Sequence, residues 1–382
     1  MRITFLLPGP ASRPAGGIRV FYRLGSELAH LGHQVRLLHP VAWLGSPAEQ
    51  RPAWRKRLSW IKHASLGTFR PRGWMPRDPR LDLRLITMVS PRSVGAGDAV
   101  VATGWRAMRL VADLPPRCGA QVAYVQGIDA WDGSLDDVLA TLSLPMHKVA
   151  VAQWLAREVR NLGETCAVVP NGIDHDLFFV EAPPAGRRAP VLAMLGHEGP
   201  WKGTGVALAA LDLVRRARPD IRCELFCAGP PQFSVPDWAT VAVDPSPAHL
   251  RALYNRCQIF LAPSLSEGWD LAACEAMACG AALVASRIPA REEYARDGEN
   301  ALLVPPGDAN AMAAAALLLL NDDTARVRLT NNAVEDVQRF TWERSGRLLE
   351  AVIREFVTSR GRSGRLDHWP DGGSEGGCDE PR

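Results

Sequence analysis

The sequence predicts an α/β protein built from two doubly wound, Rossmann-like parallel-sheet domains. Three observations carry that prediction. Short apolar runs recur along the chain without polar alternation, each followed by a turn and a helix-period segment, as strands buried on both faces require. The alternation breaks at residues 181–190 (EAPPAGRRAP), whose composition is that of a linker, and then resumes. A chain of 382 residues that is 47% apolar can bury a large core, and divides more naturally into two domains than one.

Taken in order, residues 2–7 read as a buried strand, 8–17 as a loop, 18–31 as an amphipathic helix and 35–38 as the next strand, a βαβ opening. The loop carries Gly9, Gly16 and Gly17 but no G-x-G-x-x-G, so the dinucleotide fingerprint fails. Gly16 and Gly17 directly before a helix still let a ligand approach the backbone at its N-terminus, although turns call for glycine in any case. Residues 41–80 change character. Trp43, Trp54, Trp60 and Trp74 are interleaved with Arg51, Arg55, Lys56, Arg57, Lys62, Arg70, Arg72, Arg77 and Arg80, opposed only by Glu49 and Asp78. If 53–66 is helical, Trp54, Leu58, Ile61 and Ser65 share one face and the basic residues lie elsewhere. Two readings stand level: an interfacial helix that meets a membrane surface or an acidic acceptor, and a solvated insertion whose tryptophans pack on the domain. Strands are then expected at 98–102, 121–125, 148–152 and 166–169.

Beyond the linker, 191–195 reads as a strand, 196–205 (GHEGPWKGTG) as a polar glycine-rich loop and 206–218 as a helix. Further strands are expected at 221–228, 240–243, 258–262 and 281–285, with a helix over 249–256. Residues 341–356 form an amphipathic helix with Thr341 as its N-cap. The resulting division is a first domain over 1–180 containing the insertion 41–80, a linker over 181–190, a second domain over 191–340, a helix over 341–357 and a disordered tail over 358–382.

The chain is organised around residues 263–280, PSLSEGWDLAACEAMACG, read as a turn and a small-residue helix after the strand 258–262. Glu267 falls in the turn and Glu275 inside the helix. Glu275 is flanked by Ala272, Ala273, Cys274, Ala276, Met277 and Ala278, a setting too apolar for an idle carboxylate. The amides of Gly268, Trp269, Asp270 and Leu271 lie at the helix N-terminus, where a phosphate or sugar oxygen is welcome. A lysine in the 196–205 loop, Lys202, is placed to meet a diphosphate.

The run 263–280 resembles the E-x7-E signature of retaining glycosyltransferases of family 4, which have the two-domain GT-B fold. The resemblance covers roughly residues 1–356. It extends to GGIRVFYRLGSELAHLGHQV after the first strand, to YVQGIDAWDG at 124–133 with Asp129 where a subgroup has Glu, and to VPNGID at the passage between domains. It implies that Glu267 contacts the donor sugar, that Glu275 holds the nucleotide ribose, and that the helix over 341–357 crosses back onto the first domain. Lys202 matches the family's KG lysine, whereas His197 stands where the family has Arg. Asp270 stands where it has Gly, and no His occupies the 124–133 loop, leaving Gln126 either to bond the sugar or to brace the loop. His197 would serve a diphosphate only if protonated, and its other reading is a surface residue beside Glu198. The implied activity is metal-independent transfer, with retention, from a nucleoside-diphosphate-sugar to a glycan, lipid-linked or small-molecule acceptor. Lys202, His197 and the amides at Gly16, Gly17 and 268–271 would stabilise the leaving diphosphate. Rival readings are a sugar-nucleotide epimerase or phosphorylase of the same fold, and a degenerate transferase that only binds.

The net charge of +3 gives no global field for nucleic acid. The eight cysteines are scattered without zinc spacing and read as reduced core residues. Asp174, His175 and Asp176 imitate a manganese-binding D-x-D, but their place in the turn between domains makes this a false match, and no metal or other cofactor is expected. Residues 1–10 read as a first strand rather than a secretory leader, and no run approaches the roughly 20 apolar residues that span a bilayer. The expectation is a cytoplasmic protein, with peripheral contact to the inner face of the cytoplasmic membrane through 51–66.

Overall fold

The computed structural model describes all residues except 12–13, 47–48, 72–73, 77, 129–133 and 364–382, and the backbone alone at 360–363. The first sheet contains β1 (Arg2–Leu6), β2 (Gln34–Pro40), β3 (Asp82–Ile86), β4 (Ala99–Ala102), β5 (Ala120–Val125), β6 (His147–Ala150) and β7 (Cys166–Val168) in the order 3-2-1-4-5-6-7. The second contains β8 (Val191–Leu195), β9 (Arg222–Cys227), β10 (Ala239–Val243), β11 (Ile259–Ala262), β12 (Ala282–Ser286) and β13 (Ala301–Val304) in the order 10-9-8-11-12-13. Every pairing is parallel.

Renumbered from its own first strand, the second order is 3-2-1-4-5-6, the doubly wound Rossmann arrangement that also begins the first sheet. The two sheets therefore have their order reversals between β1 and β4 and between β8 and β11. Crevices for ligands open there, outside the strand C-termini. Central strands such as β4 (AVVA) and β11 (IFLA) are buried at every position, which is why they read as unbroken apolar runs.

Two strands were not expected. β3 (DLRLI) is an edge strand with half-exposed Asp82 and exposed Arg84, and β13 (ALLV) is a four-residue edge inside a turn-rich stretch. An edge strand needs only one apolar face, which β3 shows, whereas β13 is apolar throughout but too short to stand out from the turns around it. The helix expected over 18–31 is Gly16–His30, which places both glycines in its first turn. The helix expected over 53–66 is Ala53–Leu66.

The last helix, Trp342–Ser363, is longer than the expected 341–357, so residues 358–363, read as tail, are helical; 364–382 lie outside the described residues. Thr341 Oγ1 accepts the Arg344 amide at 3.1 Å, the N-cap bond. This helix lies against Gly16–His30 of the first domain, where Ser345 donates to the Pro170 carbonyl at 2.6 Å and Phe356 stacks on His147 at 4.1 Å. One apolar core runs through the first domain and into the face of the second that looks toward it. A second core fills the outer face of the second sheet beneath helices Thr204–Ala217 and Ala309–Asn321.

Candidate active site between the two domains

The chain leaves the C-terminal end of β8 through a polar loop carrying His197 and Lys202, and the end of β11 through the turn carrying Glu267. Gly203 joins the two. It sits at φ 65°, and a Cβ there would meet the Pro263 carbonyl oxygen at 2.3 Å, so only glycine lets the loops approach this closely. Lys202 Nζ then donates to Glu267 Oε1 at 2.6 Å, and the Ser264 hydroxyl donates to the same oxygen at 2.8 Å. Burial, then the charge of Asp270, raise the Glu267 pKa against the pull of Lys202 and Arg291.

Asp270 occupies the left-handed region at φ 78°, a conformation glycine adopts without strain. Its carboxylate does two jobs there. Oδ1 accepts the Ala273 amide at 3.2 Å, capping the helix Leu271–Ala278, and Oδ2 accepts from the Arg291 guanidinium at 2.8 Å. Arg291 is wholly buried and also donates to the carbonyls of Ser264 and Ser286 at 3.2 and 3.1 Å. The cap closes the Ala273 amide, which lies beyond the 268–271 amides expected to meet a ligand. Trp269 is also placed otherwise than a donor-binding side chain requires. Its indole is buried against Phe340 and Tyr294, at 5.1 and 5.9 Å between ring centroids, leaving only its backbone to face the cleft.

Glu275, with 5% of its side chain exposed, is bonded by the Arg19 guanidinium from the first domain. Tyr254 donates to its other oxygen at 3.4 Å. Burial raises the Glu275 pKa; Arg19 and then the Tyr254 hydrogen bond oppose the shift. The Tyr254 phenol is itself pushed far up by burial and by Glu275, so it remains a donor.

From the first domain, the β1 loop brings Gly16 and Gly17 and the β5 loop brings Gln126. The Gln126 amide donates to the Gly17 carbonyl at 3.3 Å, which braces the two loops together. A Cβ on Gly268 would lie 1.6 Å from the Gln126 carbonyl oxygen, so the β5 loop and the Glu267 turn touch backbone to backbone. The Leu271 side chain reaches 3.9 Å from where a Gly16 Cβ would be. The Trp154 indole donates to the Gly268 carbonyl at 3.2 Å, and Glu293 accepts the Trp154 amide at 3.0 Å. The structure therefore brings Lys202, Glu267, Gly268, Leu271 and Glu275 together with Gly16, Gly17 and Gln126 where the domains meet, with His197 on the loop that carries Lys202, while the Trp269 indole and the Asp270 carboxylate turn into the second domain. Asp129 lies outside the described residues.

His197 is exposed beside Glu198, in keeping with its surface reading, but its ring is held by one ordered bond. Its Nδ1 accepts the Gly199 amide at 2.8 Å, which fixes a neutral ring with the proton on Nε2. Partial desolvation, followed by the Lys202 ammonium, lowers its pKa against the pull of Glu198. It can offer a neutral donor, not a guanidinium's charge.

Arg19, Tyr254, Ser264 and Arg291 were missed from the sequence. Arg19 follows the glycine pair by two residues and its position was a usable signal. Arg291 lies in an ordinary polar run, PAREEY, that gives none. The seven described cysteines are buried and free, and Cys378 lies outside the described residues. Among the described residues no group of three His, Cys, Asp or Glu could hold a metal ion. Asp174 pairs with Arg23, and His175 lies against the Phe340 carbonyl. No described helix is long and apolar enough to cross a membrane.

Residues 189–322 match the family model for glycosyl transferases group 1. The chain is 32% identical over 187 residues to D-inositol 3-phosphate glycosyltransferase of Corynebacterium efficiens, covering 45% of this chain and 44% of the relative. It is 31% identical over 212 residues to phosphatidyl-myo-inositol mannosyltransferase of Mycolicibacterium smegmatis, covering 51% and 53%. The chain thus spans about half the length of the curated relatives it matches. By structure it resembles sucrose-phosphate synthase from Thermosynechococcus elongatus, with a TM-score of 0.73 at 18% identity over 94% of this chain and 100% of that one. HepE of Anabaena, in complex with UDP and glucose, gives 0.70 at 16% identity over 93% and 100%. With a group 1 segment in its second domain and these neighbours in structure, the chain has the GT-B fold and is similar in sequence to glycosyltransferases over about half its length.

Proposed function

We propose that the protein transfers a sugar, with retention of anomeric configuration and without a metal, from a nucleoside-diphosphate-sugar to a glycan, lipid-linked or small-molecule acceptor. One observation carries the reading: Lys202 and Glu267 meet at the switch point of the second sheet, with the buried Glu275 on the helix that follows. In transfer, negative charge grows on the departing diphosphate as the anomeric carbon becomes cationic. Lys202 neutralises that charge, helped by the Nε2 proton of His197 and the backbone amides at Gly16, Gly17 and 268–271. Glu267 contacts the sugar, Glu275 accepts the ribose hydroxyls and Gln126 presents its amide from the opposite wall. The acceptor attacks on the leaving-group face, and the diphosphate takes up its proton. The complex of HepE with UDP and glucose supports a nucleotide-linked donor.

A peripheral membrane contact at the cytoplasmic face belongs to the same reading. Helix Ala53–Leu66 has no buried residue. Trp54, Leu58 and Ile61 are 59%, 58% and 51% exposed on one face, beside Arg55, Arg57 and Lys62. That combination suits an anionic lipid surface. The neutral His197 favours a second reading, a degenerate transferase that binds nucleotide-sugar without transferring it.

The test is thermal unfolding of wild type and Glu275→Ala with a panel of nucleoside diphosphates and nucleotide-sugars, in magnesium and in EDTA. A ligand at a hundred times its Kd adds about 2.7 kcal/mol of stability. The expected result is a metal-independent shift for one base, lost in Glu275→Ala; no shift with any nucleotide overturns the donor site. Sugar release or transfer from the donor that binds separates enzyme from binder.

A further inference from the structure

Glu275 is the carboxylate assigned above to the ribose, yet its strongest partner comes from the other domain. Arg19 stands in the first turn of helix Gly16–His30, and its guanidinium crosses the cleft to Glu275 Oε1. The helix presenting it is held in place: one turn further on, Arg23 pairs with Asp174 in the turn that leaves the first domain. The other oxygen of Glu275 has only the Tyr254 hydroxyl at 3.4 Å. Arg19 is thus the one cation bonded to this buried carboxylate among the described residues.

The surrounding contacts show the cleft to be shut at this point. The Gln126 carbonyl rests on Gly268, Leu271 reaches Gly16, and the Trp154 indole bonds the Gly268 carbonyl. A nucleoside diphosphate that places its ribose on Glu275 and its phosphates between Gly17 and Gly268 must part these contacts. The ribose hydroxyls would approach the same carboxylate, and the Arg19 guanidinium stands across its Oε1 on the side of the first domain.

We propose that Arg19 and Glu275 form a latch between the two domains, and that the donor ribose competes with Arg19 for the Glu275 carboxylate. The proposal rests on the ribose reading of Glu275. Closing the cleft with an internal ion pair keeps a buried carboxylate compensated, and the donor opens the latch by binding the open state better. Arg19 is on this account a positioning residue that lowers donor affinity, the reverse of what an arginine lining a diphosphate site would do.

The experiment is calorimetric titration of UDP, GDP and ADP, and of the matching uncharged nucleosides, into wild type, Arg19→Met and Arg19→Lys, with small-angle scattering of each protein alone. Methionine keeps the apolar stem and removes the charge. The latch requires the nucleoside diphosphate that binds, and its nucleoside, to bind Arg19→Met about tenfold more tightly. It also requires a larger radius of gyration for that variant. Arg19→Lys, which keeps a charge but loses the planar fork, falls between and remains informative if the methionine variant does not fold. Weaker diphosphate binding with unchanged nucleoside binding would make Arg19 a diphosphate ligand and overturn the latch. Equal affinities across the proteins overturn the latch alone, and failure of every nucleotide to bind every protein overturns the ribose reading with it.

Discussion

Asp270 stands at φ 78°, where a side chain is normally strained, and its carboxylate offsets that strain by capping Ala273 and holding Arg291. Arg291 in turn fixes the Ser264 carbonyl, and the Ser264 hydroxyl bonds Glu267. The departure from glycine at this position is therefore tied to a buried arginine that organises the turn. Asp270→Ala leaves Arg291 unpaired in the interior and should cost about 3–5 kcal/mol in denaturant melts. Asp270→Gly with Arg291→Leu should recover most of that loss, and a double variant as unstable as Asp270→Ala would contradict the account. His39 provides a second case. It is fully buried, Nδ1 donating to the Gly9 carbonyl at 3.2 Å and Nε2 accepting from Tyr22 at 2.9 Å, and burial lowers its pKa to about 4. The unfolded chain takes up a proton below about pH 6.5, whereas the folded one resists until about 4. Its contribution is therefore complete above pH 6.5 and lost as pH falls toward 4, by about 3 kcal/mol. His39→Gln should flatten the stability profile by that amount between those limits; an unchanged slope would show that His39 is not its source.

At the scale of elements, helix Ala53–Leu66 shows how far a pattern can be read. Its limits and its apolar face were legible because a 3.6-residue period survives whatever the helix rests on. Whether the tryptophans packed inward was not legible. The structure divides them: Trp60 donates to the Leu85 carbonyl at 2.8 Å and Trp74 to the Ala11 carbonyl at 3.2 Å, while Trp54 faces outward. If that face meets anionic lipid, Trp54→Glu with Leu58→Glu should abolish co-sedimentation with phosphatidylglycerol-containing vesicles and leave thermal stability unchanged. Equal binding to purely zwitterionic vesicles would remove the electrostatic part of the argument. The edge strand β3 escaped the same kind of reading because part of it faces away from the core, and β13 because it is only four residues long.

For the whole molecule, helix Trp342–Ser363 follows the second domain in sequence but packs on the first. Leu349 and Ile353 are fully buried in the core that the two domains share, and His33 bonds Glu350 at 2.9 Å. Ile353→Ala should cost about 2–5 kcal/mol. Hydrogen exchange should report the loss in β5, which this helix touches; a loss confined to the helix itself would show that it is not part of the first domain's core.

What the sequence determined by itself was the repeated strand–helix alternation, the break between the halves, and the group of Glu267, Glu275, Lys202 and Gly16–Gly17. The first two are local patterns set by burial on two faces and by composition, and the last was read from short motifs, each a few positions long, joined by their resemblance to one family. The tertiary structure alone decided that Glu275 is answered by Arg19, 256 positions away. It alone decided that Asp270 is answered by a wholly buried Arg291, that Trp269 belongs to the core and that His197 is neutral. The physical reason is the same in each case. A charge's state and a side chain's direction depend on what the fold brings within a few ångströms, and sequence separation carries no record of that distance.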